Sequence, residues 1–403
     1  MQYTEYELGE LLPFEQPTAY IVKSTDYSDA YATPVLTAGK SFILGKTNET
    51  DGIFDQLPVI IFDDFTTATQ FVNFRFKVKS SAMKILHINT DLVIPKYIFY
   101  RLQIIQFDHS THKRYWIQSY SKIKVLIPPL DEQFRIVARI EEFFSELDKA
   151  VDTLKTTKEQ LVVYRQAILQ QAFIGNSNYH KRKSSIPKAE FKPVDAKELV
   201  QLASLPQKWK YVYLSDLGNL SRGKSSHRPR NDPKLFENGV YPFFQTGDVK
   251  GAQKDLYNCE KKYNDVGLTQ SKLWPAGTLC ITIAANIAET CFLGVDGCFP
   301  DSIVGFIPND NLVLKEYIRF FIEASKLKLW AYAPATAQKN INLSTLENLI
   351  VPYCGIEEQQ YIVQKIEEID SVCNKLEQTI DIALAQADAM RQSILKQAFE
   401  EKI

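Results

Sequence analysis

The chain has 403 residues, a formal net charge of −1, 45% hydrophobic residues and 12% aromatic residues. That length predicts two or more domains with filled cores, and no apolar run approaches the ~20 residues of a membrane helix. A near-neutral balance does not mark the whole chain as a nucleic-acid binder, so any such function has to rest on local charge.

Residues 1–129 read as a first globule. Pro58-Val59-Ile60-Ile61-Phe62 predicts a buried strand. Phe74-Arg75-Phe76-Lys77-Val78-Lys79 predicts an alternating one, with Arg75, Lys77 and Lys79 on one face. Tyr97-Ile98-Phe99-Tyr100 predicts a helix with an aromatic face. The loop His109, Ser110, Thr111, His112, Lys113, Arg114, Tyr115 and Trp116 mixes cations, hydroxyls and aromatics. It suits phosphates or guanine edges; an ordinary solvated loop is the alternative. Leu126-Ile127-Pro128-Pro129 closes the globule, because proline cannot donate to a strand ladder.

Residues 130–174 predict a long helix. No proline falls in 131–173, and Ile136, Ile140, Phe143, Leu147, Val151, Leu154, Leu161 and Ile168 follow the coiled-coil period. Such a helix runs roughly 65 Å at 1.5 Å per residue. Gly175 then supplies a helix stop. Residues 175–205 read as a linker, with a basic run at Lys181-Arg182-Lys183 and prolines at Pro187 and Pro193.

Residues 206–352 repeat the order of the first globule. The predicted strands are Thr278–Ile283 and Ser302–Ile307, the aromatic helix is Tyr317–Phe321, and the exit is Leu349–Pro352. Arg222, Lys224, Ser225, His227, Arg228 and Arg230 make the densest basic loop, and Gln338, Lys339 and Asn340 stand where the first globule has its 109–116 loop. Residues 353–403 predict a second long helix with a seam at Ile362, Ile366, Ile369, Cys373, Leu376, Ile380, Ala383, Ala387, Met390 and Ile394.

The two helices are copies of each other. Residues 131–173 recur at 357–399 with a constant offset of 226, and 18 of the 43 paired positions are identical. The identities include polar positions such as Glu141/Glu367 and Lys149/Lys375, which unrelated amphipathic helices do not explain. Two long single-stripe helices in one chain most simply bury each other. Antiparallel packing about a pseudo-two-fold sets the copy midpoints, Asp152 and Gln378, level.

Catalytic motifs fail on context. Gly218–Ser225 fits the phosphate-loop pattern GxxxxGKS, but Pro229 and Pro233 follow where a helix has to start. Asp248 with Glu260 and Lys262 resembles a nuclease set without the supporting strand. Neither an S-adenosylmethionine loop of FxGxG type nor a base-flipping Asn/Asp-Pro-Pro-aromatic motif occurs. The six cysteines all lie in the second half with no CxxC pair, which predicts reduced thiols in a cytoplasmic protein and no metal site.

The lead-in Pro129-Leu130-Asp131-Glu132-Gln133 with Ile136-Val137-Ala138-Arg139-Ile140, and the end Arg165–Phe173, resemble the specificity subunit of Type I DNA restriction–modification systems. Glu15–Val22 and Ser110–Trp116 look like one recurrent class of first recognition domain, and Leu205-Pro206-Gln207-Lys208-Trp209 like the usual start of a recognition domain. The first globule lacks that start. The resemblance covers nearly the whole chain and implies an α/β (α+β) fold: two target-recognition domains, 1–129 and 206–352, joined by helices 130–174 and 353–403 in an antiparallel coiled coil. It implies a non-catalytic DNA reader, each domain reading half of a bipartite site and the coiled coil setting the spacer. Two DNA adenine methyltransferase subunits and restriction subunits would dock on it. S-adenosylmethionine, ATP and Mg would belong to those partners. The rival readings are a protein–protein scaffold without DNA readout, and an ATPase or nuclease using the motifs above.

Overall fold

The computed structural model describes residues 3–37, 41–108, 114–174, 189–332 and 340–400. The chain divides into two compact units, one of residues 1–156 with 380–403 and one of 157–379. Each unit therefore holds one globule, one half of the first long helix and one half of the second.

In the first unit, β1 (Thr4–Glu7) leads into α1 (Leu8–Leu11). β2 (Phe14–Glu15), β3 (Thr33–Leu36), β4 (Ile43–Thr47), β5 (Val59–Asp63), β6 (Thr69–Val72), β7 (Lys77–Val78) and β8 (Met83–Leu86) follow. Then come α2 (Pro95–Leu102), β9 (Lys124–Ile127) and the start of α3 (Leu130–Ile174). Four strands pair in the order β2-β8-β5-β6 and three in the order β4-β3-β7, while β1 pairs antiparallel with β9. The apolar run in β5 has a simple cause. Ile60 and Phe62 enter the core beneath α2, and Val59 and Ile61 enter a second core on the other face. A strand covered on both faces needs no polar side chain.

The second unit uses the same plan. α4 (Ala196–Leu199), β10 (Lys210–Tyr213) and β11 (Gly218–Arg222) come first. They are followed by β12 (Tyr241–Pro242), α5 (Thr246–Gly251), β13 (Asp255–Leu256), β14 (Lys262–Tyr263) and α6 (Asp265–Thr269). β15 (Leu279–Thr282), β16 (Thr290–Leu293) and β17 (Ile303–Pro308) lead to α7 (Lys315–Ala324), α8 (Lys326–Tyr332) and α9 (Leu343–Glu347). β18 (Ile350–Tyr353) feeds α10 (Ile356–Phe399). The five-stranded sheet runs β11-β17-β15-β16-β13, and β10 pairs with β18 as β1 does with β9. β15 also divides two cores, Leu279 and Ile281 on one side and Cys280 on the other. Pro352 lies inside β18 opposite Tyr211, so the expected break falls after the strand.

The repeated helix residues make matching contacts in both units. Gln133 is fully buried; its Oε1 accepts from Ile94 N at 2.7 Å, and its Nε2 donates to Leu92 O at 3.0 Å and Pro128 O at 2.9 Å. Gln359 does the same with Leu314 N at 2.9 Å, Leu312 O at 3.0 Å and Cys354 O at 2.8 Å. Each amide thus fastens the start of its long helix to the start of the aromatic helix. Glu141 pairs with Lys96, and its mate Glu367 with Lys254 at 2.9 Å. At the other helix ends, Phe399 packs edge-on against Tyr97 in the first unit, and Phe173 against Tyr317 and Phe321 in the second.

The helix pairing is antiparallel within each unit. Ile140 of α3 shares a small core with Leu395 and Ala398 of α10. Ala172 and Phe173 of α3 share the second unit's core with Ile362, Val363 and Ile366 of α10. Arg391 pairs with Asp148, and Arg165 with Asn374 at 2.8 Å. Both pairs of residue numbers sum to 539. That register sets Asp152 level with Ala387 and Gln378 level with Leu161, which corrects the expectation that Asp152 and Gln378 are level.

Most of the expected seam residues are at least half-buried. Ile140, Ile362, Ile366 and Ile380 are buried, and Ile136, Leu147, Leu154, Leu161, Ile168, Ile369 and Ile394 are half-buried. Leu376 is 48% exposed and does not belong to the seam. Glu377 lies there instead, 3.1 Å from Arg165. A straight helix at 3.6 residues per turn drifts against a strict heptad, and one extra four-residue step absorbs the drift. Met390 is exposed for the same reason.

The expected linker 175–205 is partly tied down. Phe191 packs on Tyr353 with the Lys210 ammonium 4.0 Å above its ring, and Lys192 N donates to Asp216. The basic run at 181–183 lies outside the described residues.

Candidate nucleic-acid interface

In the second unit, three segments converge on the end of β11. The Arg222–Asp232 loop is strapped to the turn at 299–303 by backbone bonds, Gly223 N to Ile303 O at 2.8 Å and Lys224 N to Phe299 O at 3.0 Å. The approach is so close that a Cβ on Gly223 would stand 2.3 Å from Phe299 O, so only glycine fits. From the third segment, Ser271 Oγ donates to Lys224 O at 2.7 Å. Lys272 reaches back to Ser221 Oγ at 2.9 Å with its ammonium 3.6 Å above the Trp274 ring.

This scaffold presents an array of cations. Arg222 Nε donates to Asp301 O at 2.8 Å, and Arg230 Nη2 to Asp301 Oδ1 at 2.8 Å. Arg228 Nη1 donates to Ser225 O and His227 O, both at 2.8 Å. His227 is half-buried with Nε2 2.9 Å from Asp232. The Lys234 backbone N–H, and after it His227, hold the Asp232 carboxyl below its usual pKa. Lys224 is exposed, and its ammonium has no partner among the described residues. Four exposed cations, Arg222, Lys224, Arg228 and Arg230, thus share one loop, with Lys272 beside it. Ser225 is a correction: it is 5% exposed, 3.3 Å from Tyr263, and supports the loop from beneath.

Several sequence motifs find other uses here. Gly218–Arg222 is a strand paired with β17, so the GxxxxGKS match has no phosphate loop. Asp248 accepts from Gln245 N and caps α5.

In the first unit, Arg75 and Lys79 are exposed and Lys77 is not. Only Lys77–Val78 form the strand, and Lys77 is 1% exposed. Its ammonium lies 3.1 Å from Glu49 and donates to Gly52 O at 3.2 Å and to Asp51 O. It pins the 47–52 turn and does not contribute to a DNA face, which corrects the three-cation stripe. Glu49, which also accepts from the Ser24 and Lys23 backbone, has its pKa lowered, chiefly by the Ser24 bond.

The 109–116 loop is described only from Arg114 onward; His109, Ser110, Thr111, His112 and Lys113 lie outside the described residues. Arg114 is exposed. Tyr115 is 4% exposed against Phe107 at 5.0 Å, so it is a core residue and not a DNA contact. Asp64 fixes this flank. Its carbonyl accepts from Tyr115 N, its Oδ1 accepts from Trp116 N at 2.8 Å, and Oδ2 lies 3.3 Å from the buried Lys84.

The chain is 31% identical over 388 residues to the specificity subunit of the Type I restriction enzyme EcoR124I/EcoR124II from Escherichia coli, covering 92% of this chain and 87% of that one. The chain belongs to the Type I restriction enzyme specificity subunits. Residues 206–386 match the Type I restriction modification DNA specificity domain. The fold agrees over the full length with a chain from a solved type I restriction–modification system, at TM-score 0.68 and 18% identity, covering 100% of this chain and 98% of that one. It also agrees with the HsdS subunit from Thermoanaerobacter tengcongensis, at TM-score 0.55 and 18% identity, covering 100% and 97%.

In this specificity subunit the cation loops foreseen from sequence divide by burial. Arg75, Lys79, Arg114, Arg222, Lys224, Arg228 and Arg230 are at the surface; Lys77, Tyr115 and Ser225 are internal. Gln338 and Lys339 lie outside the described residues, and Asn340 is exposed and itself forms an isolated antiparallel bridge with Ala284. Lys272 and Asp301 were missed, because only folding brings them to the 222–230 loop. No described helix is long and apolar enough to cross a membrane.

Proposed function

We propose that each unit of this specificity subunit reads one half of a bipartite double-stranded DNA site, and that the paired helices set the spacer between the halves. The supporting observation is the contrast between repeated anchors and unrepeated cation loops. Gln133/Gln359 and Phe173/Phe399 hold the globules to the helices in matching ways. The Arg222–Arg230 array has no counterpart of like sequence in the first unit. One frame carrying two different basic faces suits two different half-sites.

The helices carry a second repeated feature. Glu142, Ser145, Lys149, Thr153, Gln160 and Gln171 are exposed, and each has an identical, exposed mate in α10. At 100° per residue they fall within about 80° of arc, opposite the seam. An outward polar stripe kept identical in both copies supports docking of two copies of one partner. In this reading those partners are DNA adenine methyltransferase subunits, with restriction subunits joining for cleavage. S-adenosylmethionine, ATP and Mg act in the partners, and the chain itself is a non-catalytic cytoplasmic subunit.

The deciding experiment is methylome sequencing of a host that expresses this chain with its methyltransferase subunit. A two-part motif is expected, and replacing 206–352 with the second recognition domain of another such subunit should change one half only. If both halves change together, the two-reader reading is wrong. A pure scaffold gives no motif at all.

A further inference from the structure

We infer that Asp301 is a positioning residue for base reading in the second unit, and that Arg222 reads a guanine. This rests on the reading of that unit as a DNA reader. Arg222 and Arg230 meet at one residue: Arg222 Nε donates to the Asp301 carbonyl and Arg230 Nη2 to its carboxylate, each at 2.8 Å. The residue that gathers them is itself fixed, because the turn that carries it is strapped to the loop at Gly223 and Lys224.

The nitrogens used are informative. Arg222 spends only Nε on Asp301, which leaves Nη1 and Nη2 free among the described residues. Those two terminal nitrogens form the edge that forks onto O6 and N7 of guanine. A guanidinium held in place before DNA arrives loses less rotamer freedom on binding. Arg230 is held by one nitrogen as well and keeps further donors. Lys224, by contrast, is exposed and untethered, which suits a phosphate contact.

A carboxylate on a DNA face repels phosphates, so its presence needs a reason. Asp301 is 45% exposed beside Arg230. As a mere surface ion pair it would contribute little to folding. As a positioning group it trades non-specific attraction for a fixed guanidinium. The trade makes a signature that an electrostatic or a structural role alone does not share.

The test uses the full chain in complex with its methyltransferase subunit, and a pool of random-sequence duplexes as probe. In Asp301→Asn, non-specific affinity should rise, with the salt slope steeper by up to ~1 for the cation released. Base preference at one position of one half-site should fall at the same time. Arg222→Lys should keep the salt slope and lose preference for a G·C pair by roughly tenfold to a hundredfold. Arg230→Lys should relax the same position as Asp301→Asn. The other half-site should not change in any of them, and the melting temperature should stay within a few degrees.

A rise in affinity with an unchanged motif in Asp301→Asn would reduce Asp301 to simple repulsion and overturn the inference. An unchanged motif in Arg222→Lys would reassign Arg222 to phosphate and overturn its guanine role. If the unaltered complex selects no motif, the DNA-reader reading fails first.

Discussion

Gln359→Leu is the most direct test of how a reading unit is held to its helix. The substitution keeps the volume and removes the amide. It leaves Leu314 N without its acceptor, and Leu312 O and Cys354 O without their donor. The bond to Cys354 O is fully buried and the other two are half-buried, so water recovers part of the loss. At about 1 kcal/mol per lost bond, and somewhat more for the group left dry, the cost is about 3 kcal/mol. For a unit of this size, that lowers the melting temperature by roughly 6–12 °C. Urea unfolding followed by intrinsic fluorescence measures the free energy, and amide exchange locates it. Protection should fall at Leu314–Ile318, where α7 begins. Gln133→Leu should do the same at Ile94–Ile98. A cost below about 1 kcal/mol, or loss of protection spread evenly over the unit, would refute the idea that this amide is the fastening point.

Four other outcomes are expected. Phe173→Ala removes a buried ring that packs edge-on against Tyr317 and Phe321, and should cost about 3–4 kcal/mol by urea unfolding, against less for the half-buried Phe399→Ala. Lys77→Met should lower the melting temperature but leave the salt slope of DNA binding unchanged, whereas Arg75→Ala or Arg114→Ala should lower that slope by ~1 if it touches phosphate. Lys224→Ala should weaken DNA binding, and the purified chain should show no ATP hydrolysis to lose; an ATPase activity abolished by it would overturn the non-catalytic reading. One heptad inserted after Thr156 and another after Ile382 should lengthen the helix pair by ~10.5 Å at 1.5 Å per residue, about three base pairs at 3.4 Å each. Methylome sequencing should then show unchanged half-sites with a longer spacer, or no methylation by a folded complex. The original site with its original spacer would mean the helices do not set the gap.

The frame is legible from sequence because it is written twice. An identity at a fixed offset of 226 residues needs no structure to find, and the pairs Gln133/Gln359 and Phe173/Phe399 stand out as repeats without any knowledge of their contacts. The reading faces are less legible. Alternation puts Lys77 on a face with Arg75 and Lys79, but it cannot show that Glu49 and the 47–52 turn fold over that position. Periodicity puts Leu376 in the seam, where Arg165 draws in Glu377. Asp301 is distant in sequence from the arginines it holds, and no local pattern links them.

The buried glutamines touch only backbone. Gln133 meets Ile94 N, Leu92 O and Pro128 O; Gln359 meets Leu314 N, Leu312 O and Cys354 O. Every residue type offers those groups, except that proline lacks the N–H. This part of the attachment therefore asks almost nothing of the side chains in the globule it holds; the Phe173 and Phe399 rings ask only for an aromatic face to pack on. Mutations can accumulate across a reading face, or a whole globule can be exchanged for another of the same plan, without eroding the joint. Variation in what is recognised is thereby uncoupled from the architecture that does the recognising.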